Sequence, residues 1–245
     1  FLDAIHGAVA SDADQLPIYE GSYREAATRA PGRLRVAVST RIPPGLIGRV
    51  SSDQRGALDA MAALLGELGH DVFERDPAYG FAQLEFLQTW LRAVYEESET
   101  VPDRSQLEPL TREMAWLGRR FVPAARREKL RAARAKTTAR IVALWNEVDV
   151  LMTPGLATTA IRAEGGYGQH APVAIDRGGR FTPFTPIFNL TGQPAITIPA
   201  GMGEDGLPLS VQLVGRPGGE DLLYSLAGQI ENARPWADRT PPLAA

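Results

Sequence analysis

The adjacent hydroxyls of Ser51 and Ser52, the only Ser-Ser pair in the chain, are the first candidates for nucleophilic chemistry. A serine acts as a nucleophile when a base takes its proton and backbone N–H groups stabilise the oxyanion that forms. Neighbouring glycines would allow that close backbone approach, and none adjoins this pair. We therefore expect Ser51, Ser52 and Asp53 to cap a helix that begins there.

Lys129 and Lys136 are the only lysines, and a lysine acts as a base only where desolvation lowers its pKa toward neutrality. Residues 119–140 carry nine basic side chains and one acid, Glu128. Such a run indicates a solvated helix face, so no catalytic role is expected for either lysine. The run also raises nucleic-acid binding as an alternative, which the lack of a known binding motif disfavours.

No metal or cofactor site is predicted. The three histidines, His6, His70 and His170, stand far apart and match no ligand spacing. The chain has no cysteine, which excludes disulfides and thiolate metal sites. No glycine-rich phosphate loop stands between a predicted strand and a predicted helix, so no nucleotide cofactor is expected.

Residues 182–189, TPFTPIFN, combine rigid prolines, two aromatic rings and small polar groups. This composition suits a mainly apolar pocket with a few directional hydrogen bonds. It suits a buried loop equally well, with Asn189, Gly192 and Pro194 as scaffold. The residues alone leave both interpretations open.

These candidate residues need a scaffold, and the composition is that of a globular chain. With 245 residues, 44% hydrophobic residues and a net charge of -3, it can bury a core and has no global attraction to nucleic acid or an anionic membrane. No apolar run approaches the roughly 18 residues of a membrane span, and no signal peptide is evident, so a cytoplasmic setting is the default expectation. A chain that begins with Phe1 suggests a fragment.

Helices interleaved with short apolar strands favour an α/β sandwich with a mostly buried sheet. Strands are expected at 33–39, 148–152, 195–198 and 211–214. Helices are expected from Ser51 to Gly69 and at 79–99, 123–147 and 221–233, and the helix at 123–147 should be the longest. Residues 163–179 are glycine-rich and indicate a surface loop, and residues 215–219 indicate a turn.

Longer segments carry a family resemblance. FLDAIHGAVASDADQLP at the start, RLRVAVST at 33–40, NEVDVLMTPG at 146–155 and FTPFTPIFNLTGQPAITIPAGMGEDG at 181–206 resemble the C-terminal half of amidase-signature hydrolases. The resemblance implies the C-terminal part of that family's α/β/α sandwich with a central mixed sheet. It implies one portion of a single domain over residues 1–245, helical at about 79–147 and strand-rich at about 148–215.

The family hydrolyses carboxamides with a nucleophilic serine, a serine on a cis peptide and a lysine, without metal or cofactor. Those serines lie in Gly-Gly-Ser-Ser-Gly and Asp-Thr-Gly-Gly-Ser segments, and this chain contains neither. We therefore expect no catalytic residue here, an inactive chain in isolation, and a missing N-terminal half as its partner. A non-catalytic scaffold or binding subunit of an amidase-like or glutamine amidotransferase assembly is the alternative.

The resemblance also assigns the substrate contacts. In the family the region matching residues 182–189 forms part of the acyl pocket wall, which implies that Thr182, Phe184, Ile187 and Phe188 contact a small amide substrate. Residues 180–183 hold no carboxylate for a substrate ammonium, which favours a general amidase over an amidotransferase subunit. A homodimer is left open, and neither nucleic acid nor a membrane is an expected partner.

Overall fold

A five-stranded mixed sheet organises the chain in the computed structural model, which describes residues 1–7, 9, 19–162 and 169–239. The strands, in chain order, are β1 (Arg35–Val38), β2 (Asp71–Glu74), β3 (Val150–Pro154), β4 (Ala195–Met202) and β5 (Pro208–Val214). Their spatial order is β2-β1-β3-β5-β4. Strand β1 pairs in parallel with β2 and β3, and β5 pairs antiparallel with β3 and β4.

The helices are α1 (Leu2–Ile5), α2 (Tyr23–Ala26), α3 (Ser52–Glu67), α4 (Ala82–Thr100), α5 (Pro109–Phe121), α6 (Arg127–Val142), α7 (Ala171–Phe181), α8 (Pro186–Thr191) and α9 (Glu220–Ala233). Short 3₁₀ turns cover Arg104–Gln106, Ala124–Arg126 and Ala143–Asn146. Helices α4 and α5 pack so closely that a Cβ at Gly118 would collide with the Leu91 carbonyl oxygen. None of the helices in these ranges is long and apolar enough to cross a membrane.

Two apolar layers sandwich the sheet. Successive side chains of a strand point to opposite faces, so Val150 and Met152 of β3 join one cluster while Leu151 joins another. The first cluster packs α3 and α9 against the sheet, and the second packs α8 and the turn Ala143–Asn146. This arrangement confirms the predicted α/β/α sandwich with a mixed sheet.

The sequence misplaced two helical segments. Residues 171–179, predicted as loop, begin helix α7, where the Ala171 N–H donates to Glu113 Oε2 at 2.9 Å and a proline follows at the first turn. The rest of that predicted loop, 163–168, lies outside the described residues. Within the predicted helix 123–147, only α6 is α-helical, and 3₁₀ turns flank it on both sides. As a result α4, with 19 residues, is longer than α6, with 16.

Candidate functional site

Residues 182–192 form a rigid connection between α7 and β4. The Thr182 hydroxyl donates to the Gly178 carbonyl at 3.0 Å, which closes the end of α7. Pro186 occupies the first turn of α8, where its missing N–H is tolerated. Gly192 ends α8 at φ 74°, in the left-handed region that favours glycine.

The predicted wall residues of this connection are mostly core residues in the described chain. Phe184 and Ile187 are fully buried, Phe188 is 2% exposed, and Thr182 is half-buried. Phe188 packs with Leu151 and Val214 of the sheet. Ile187 belongs to a separate cluster under α4 and α6 that includes Tyr79 and Ile141. Burial gives these side chains a packing role, and their contact with an acyl group stays a prediction.

The same sheet face carries a row of polar side chains that crosses three strands. Gln212 of β5 is buried, and its Nε2 donates to the buried Thr153 Oγ1 of β3 at 3.1 Å. The Thr153 hydroxyl in turn donates to the Pro154 carbonyl at 3.0 Å. On the other side of Gln212, Thr197 of β4 is its register partner and is exposed. The row therefore runs from the middle of the sheet to its β4 edge.

Strand β4 is an edge strand whose outward backbone groups can be assigned from its pairing. The Gly215 N–H donates to the Pro194 carbonyl at 2.9 Å. In an antiparallel pair, residues that hydrogen-bond to the neighbouring strand alternate with residues that do not, so Ile196 and Ile198 direct their N–H and C=O groups toward β5. Ala195 and Thr197 therefore direct their N–H and C=O groups away from the sheet. Pro199, the next outward residue, has no N–H to offer, as is usual for proline at an edge.

The side chains on this part of β4 are also uncovered. Ala195, Thr197 and Pro199 are all exposed on the face that carries α8, whereas Ile198 and Ala200 are buried on the opposite face. Among the described residues no strand pairs with the outer edge of β4, and an uncovered face beside outward backbone groups is a surface that another strand or loop can complete.

Gln193 adds a buried polar group just before β4. Its Oε1 accepts from the Thr191 hydroxyl, and its Nε2 is buried without a hydrogen-bond partner among the described residues. An unsatisfied buried amide N–H costs about 1–3 kcal/mol. The start of the edge strand therefore presents a donor for which an acceptor from another segment would be favourable.

The polar row can position a ligand or a polypeptide but cannot by itself move protons. Hydroxyl and carboxamide groups donate and accept hydrogen bonds without titrating near neutral pH. The buried phenol of Tyr79 stays protonated because burial raises its pKa. Both lysines are exposed on α6, away from the sheet.

The remaining candidates from the sequence have structural roles. The Ser51 hydroxyl accepts from the Gln54 N–H at 3.3 Å, which confirms the predicted helix cap, and α3 begins at Ser52. His70 Nδ1 accepts from the Leu34 N–H at 3.1 Å, and its Nε2 lies 2.9 Å from Gln229 Oε1. Within the described ranges, no three His, Asp or Glu side chains are grouped so that they could hold a metal ion.

Sequence reasoning overlooked Thr153, Thr197 and Gln212. The available signal was the alternation in β5, where Ser210 and Gln212 interrupt an otherwise apolar strand every second residue. Such a pattern places both polar groups on one face. Only the strand register shows that Thr153 and Thr197 flank the same glutamine.

Comparison with known proteins identifies relatives of the whole segment. A family model described as Amidase matches residues 1–224. The putative amidase AmiB2 of Mycobacterium tuberculosis (strain ATCC 25618 / H37Rv) is 41% identical over 235 residues, covering 94% of this chain and 50% of that protein. The 6-aminohexanoate-cyclic-dimer hydrolase of Pseudomonas sp. (strain NK87) is 33% identical over 264 residues, covering 99% and 52%.

Solved structures give the same picture. A 6-aminohexanoate cyclic dimer hydrolase superimposes with a TM-score of 0.84 at 27% identity, covering 98% of this chain and 53% of that one. A bacterial aryl acylamidase of the amidase signature family superimposes with a TM-score of 0.74 at 18% identity, which shows the fold alone. The chain spans about half the length of the curated relatives it matches.

Proposed function

Because this chain belongs to the amidase signature family, we propose that it forms the C-terminal portion of an enzyme that hydrolyses a carboxamide to a carboxylic acid and ammonia or an amine. Membership of the family supports amide hydrolysis in general terms. The observation that carries the finer proposal is the match over residues 1–224 of a chain that contains neither glycine-rich serine segment. On this proposal the nucleophile and its bases come from the complementary portion, and this chain alone is inactive.

The proposed contribution of this chain is a surface that completes and positions the catalytic portion. The outward N–H groups of Ala195 and Thr197 would pair with a strand or loop of that portion, and the donor of Gln193 would find an acceptor there. Thr197 and Gln212 would hold the neighbouring polypeptide in register through side-chain hydrogen bonds. Covering this face would also exclude water from the reaction.

The substrate assignment remains the one that the sequence predicts. We propose that Thr182, Phe184, Ile187 and Phe188 border the acyl group of a small amide once the catalytic portion is docked. The carboxylate nearest to this segment on α7, Asp176, is paired with Arg180 at 2.8 Å, so it is engaged in an ion pair within its own helix. That pairing supports a general amidase over a subunit that binds the ammonium of glutamine. The cytoplasm is the proposed compartment.

A chimaeric enzyme tests the proposal. The part of AmiB2 that does not align with this chain is fused to Phe1, and release of ammonia or amine from a panel of simple amides is measured for the chimaera and for the 245-residue chain. We expect turnover by the chimaera and background rates for the chain. The control is a chimaera whose serine in the Asp-Thr-Gly-Gly-Ser segment is changed to alanine, which should be inactive.

Amide hydrogen exchange, measured on the 245-residue chain and on the chimaera, locates the surface where the two portions meet. The N–H groups of Ala195 and Thr197 should exchange quickly in the chain and slowly in the active chimaera, whereas those of Ile196 and Ile198 should be protected in both because they face β5. A folded chimaera that protects Ala195 and Thr197 without any turnover would support the scaffold alternative. Turnover by the chain alone would contradict the proposal that the catalytic groups come from the complementary portion.

A further inference from the structure

A small cavity lies against the edge strand β4, where the chain leaves α9. The residues that line it are Pro199 and Gly201 of β4 and, after α9, Arg234, Trp236 and Arg239. Its volume is about 240 Å³. We call it the edge pocket. Because Pro199 stands two residues beyond Thr197 on β4, a polypeptide that pairs with the outward backbone groups of this strand would run past the edge pocket.

Helix α9 and the turn that follows it hold the two arginines beside β4. The Arg234 N–H donates to the Ile230 carbonyl at 2.8 Å, which closes the end of α9, and the Arg239 N–H donates to the Trp236 carbonyl at 3.0 Å. Trp236 is half-buried and packs against the apolar cluster that contains Ile198 of β4. The backbone of this segment is therefore fixed on the sheet, while both arginine side chains are exposed.

The positive charge of the edge pocket is not compensated within it. Neither Arg234 nor Arg239 makes a side-chain hydrogen bond or an ion pair with any residue that the structure describes. No acid lines the pocket, and Glu231 and Asp238, the acids nearest to these arginines in the chain, form no ion pair with them. Both guanidinium groups are therefore available to an acceptor from another segment.

We propose that the edge pocket receives a carboxylate side chain of the complementary catalytic portion, at the point where that portion pairs with β4; this rests on the proposed function. Guanidinium groups bind a carboxylate through paired N–H donors. Tryptophan and arginine around a cavity are also the residue types that contribute most to protein–protein binding. A second copy pairing through the same strand is disfavoured, because β4 itself carries no acidic residue.

The contact would fix the register of the docked segment. Pro199 has no N–H to offer, so backbone pairing along the outer edge of β4 weakens at this residue. A side-chain ion pair at the same place supplies an attachment that backbone hydrogen bonds cannot. It also distinguishes one register from its neighbours, since a slip by one residue would turn the carboxylate to the other face of the sheet.

Arginine modification with phenylglyoxal, located by mass spectrometry of peptides, tests the proposal on the 245-residue chain and on the AmiB2 chimaera. Arg234 and Arg239 should react readily in the chain and roughly tenfold or more slowly in the chimaera, because a paired guanidinium must open before it reacts. The internal control is Arg119, which is exposed on α5 and has no side-chain partner among the described residues. Its rate should be the same in both proteins.

A double variant of the chimaera, Arg234→Gln with Arg239→Gln, gives a second measurement. The N–H groups of Ala195 and Thr197 should exchange roughly tenfold or more faster than in the unmodified chimaera, the usual effect of losing a hydrogen bond to a charged group. The matched control, Arg112→Gln with Arg119→Gln, removes the same charge from exposed positions of α5 and should leave this exchange unchanged. Circular dichroism checks that both variants are folded.

The outcomes separate this proposal from the proposed function. Slow exchange of Ala195 and Thr197 in the chimaera, with Arg234 and Arg239 still as reactive as in the chain, would support docking on β4 and overturn the carboxylate contact. Fast exchange at β4 in an active chimaera would overturn the docking itself, and the carboxylate contact with it. Protection of the two arginines in the chain alone that grows with protein concentration would assign the edge pocket to a second copy and overturn the proposal.

Discussion

Replacing Phe188 with alanine measures how firmly α8, and with it the connection 182–192, is held on the sheet. The ring is 2% exposed and packs with side chains from three strands, Ala37 of β1, Leu151 of β3 and Val214 of β5. Truncating a buried phenylalanine removes the transfer free energy of the ring and leaves a cavity, which costs about 3–5 kcal/mol of unfolding free energy. For a chain of this size that corresponds to a fall in Tm of roughly 6–20 °C.

Urea denaturation followed by circular dichroism gives the free energy of unfolding. The matched control is Phe73→Ala on the edge strand β2, where the ring is 40% exposed and the loss should be about 1 kcal/mol or less. The dependence on urea should stay the same, so that the midpoint alone reports stability. If Phe188→Ala lost no more than Phe73→Ala, the ring would not be part of the core, and the packing argument for α8 would fail.

Three further sets of substitutions test other parts of the structure. Gly118→Ala should destabilise the chain by several kcal/mol because the new Cβ would meet the Leu91 carbonyl. The control Gly56→Ala lies in open space on α3 and should stabilise the chain by about 0.5–1 kcal/mol. Urea midpoints that move in the same direction for both variants would contradict the close approach of α4 and α5. The Arg35 guanidinium lowers the pKa of the Asp149 carboxyl group. The unmodified chain should therefore be more stable than the Asp149→Asn variant above the ordinary pKa of about 3.9, and it should lose this advantage as the pH falls through the lower pKa of the folded chain. A difference in unfolding free energy between the two proteins that stays constant from pH 6 to pH 2 would contradict this ion pair. Ser51→Ala should cost about 1 kcal/mol by thermal denaturation and Ser52→Ala about 0.5 kcal/mol or less, and equal losses would argue against Ser51 as the helix cap.

The pattern of apolar residues within each segment was sufficient to predict most strands of the sheet. The apolar run of β3 predicts a strand covered on both faces, and all five of its residues are buried. Glycine content misled the prediction at residues 171–179, because the intrinsic cost of glycine in a helix is small enough for tertiary contacts such as Ala171 with Glu113 to outweigh it. Most of the basic run lies on α6, as the sequence predicts, but Arg127 within it pairs with Glu96, 31 residues earlier in the chain.

The sequence by itself determined the family, the three-layer α/β architecture and the absence of the two serine segments, because each depends on which residues follow one another along the chain. The polar row of Thr153, Gln212 and Thr197, the outward N–H groups of β4 and the pairing of Arg127 with Glu96 depended on the tertiary structure. Each of them joins residues from different elements. Strand register and helix packing, which bring such residues together, are set by the complementary packing of the whole core and are not encoded in any single segment.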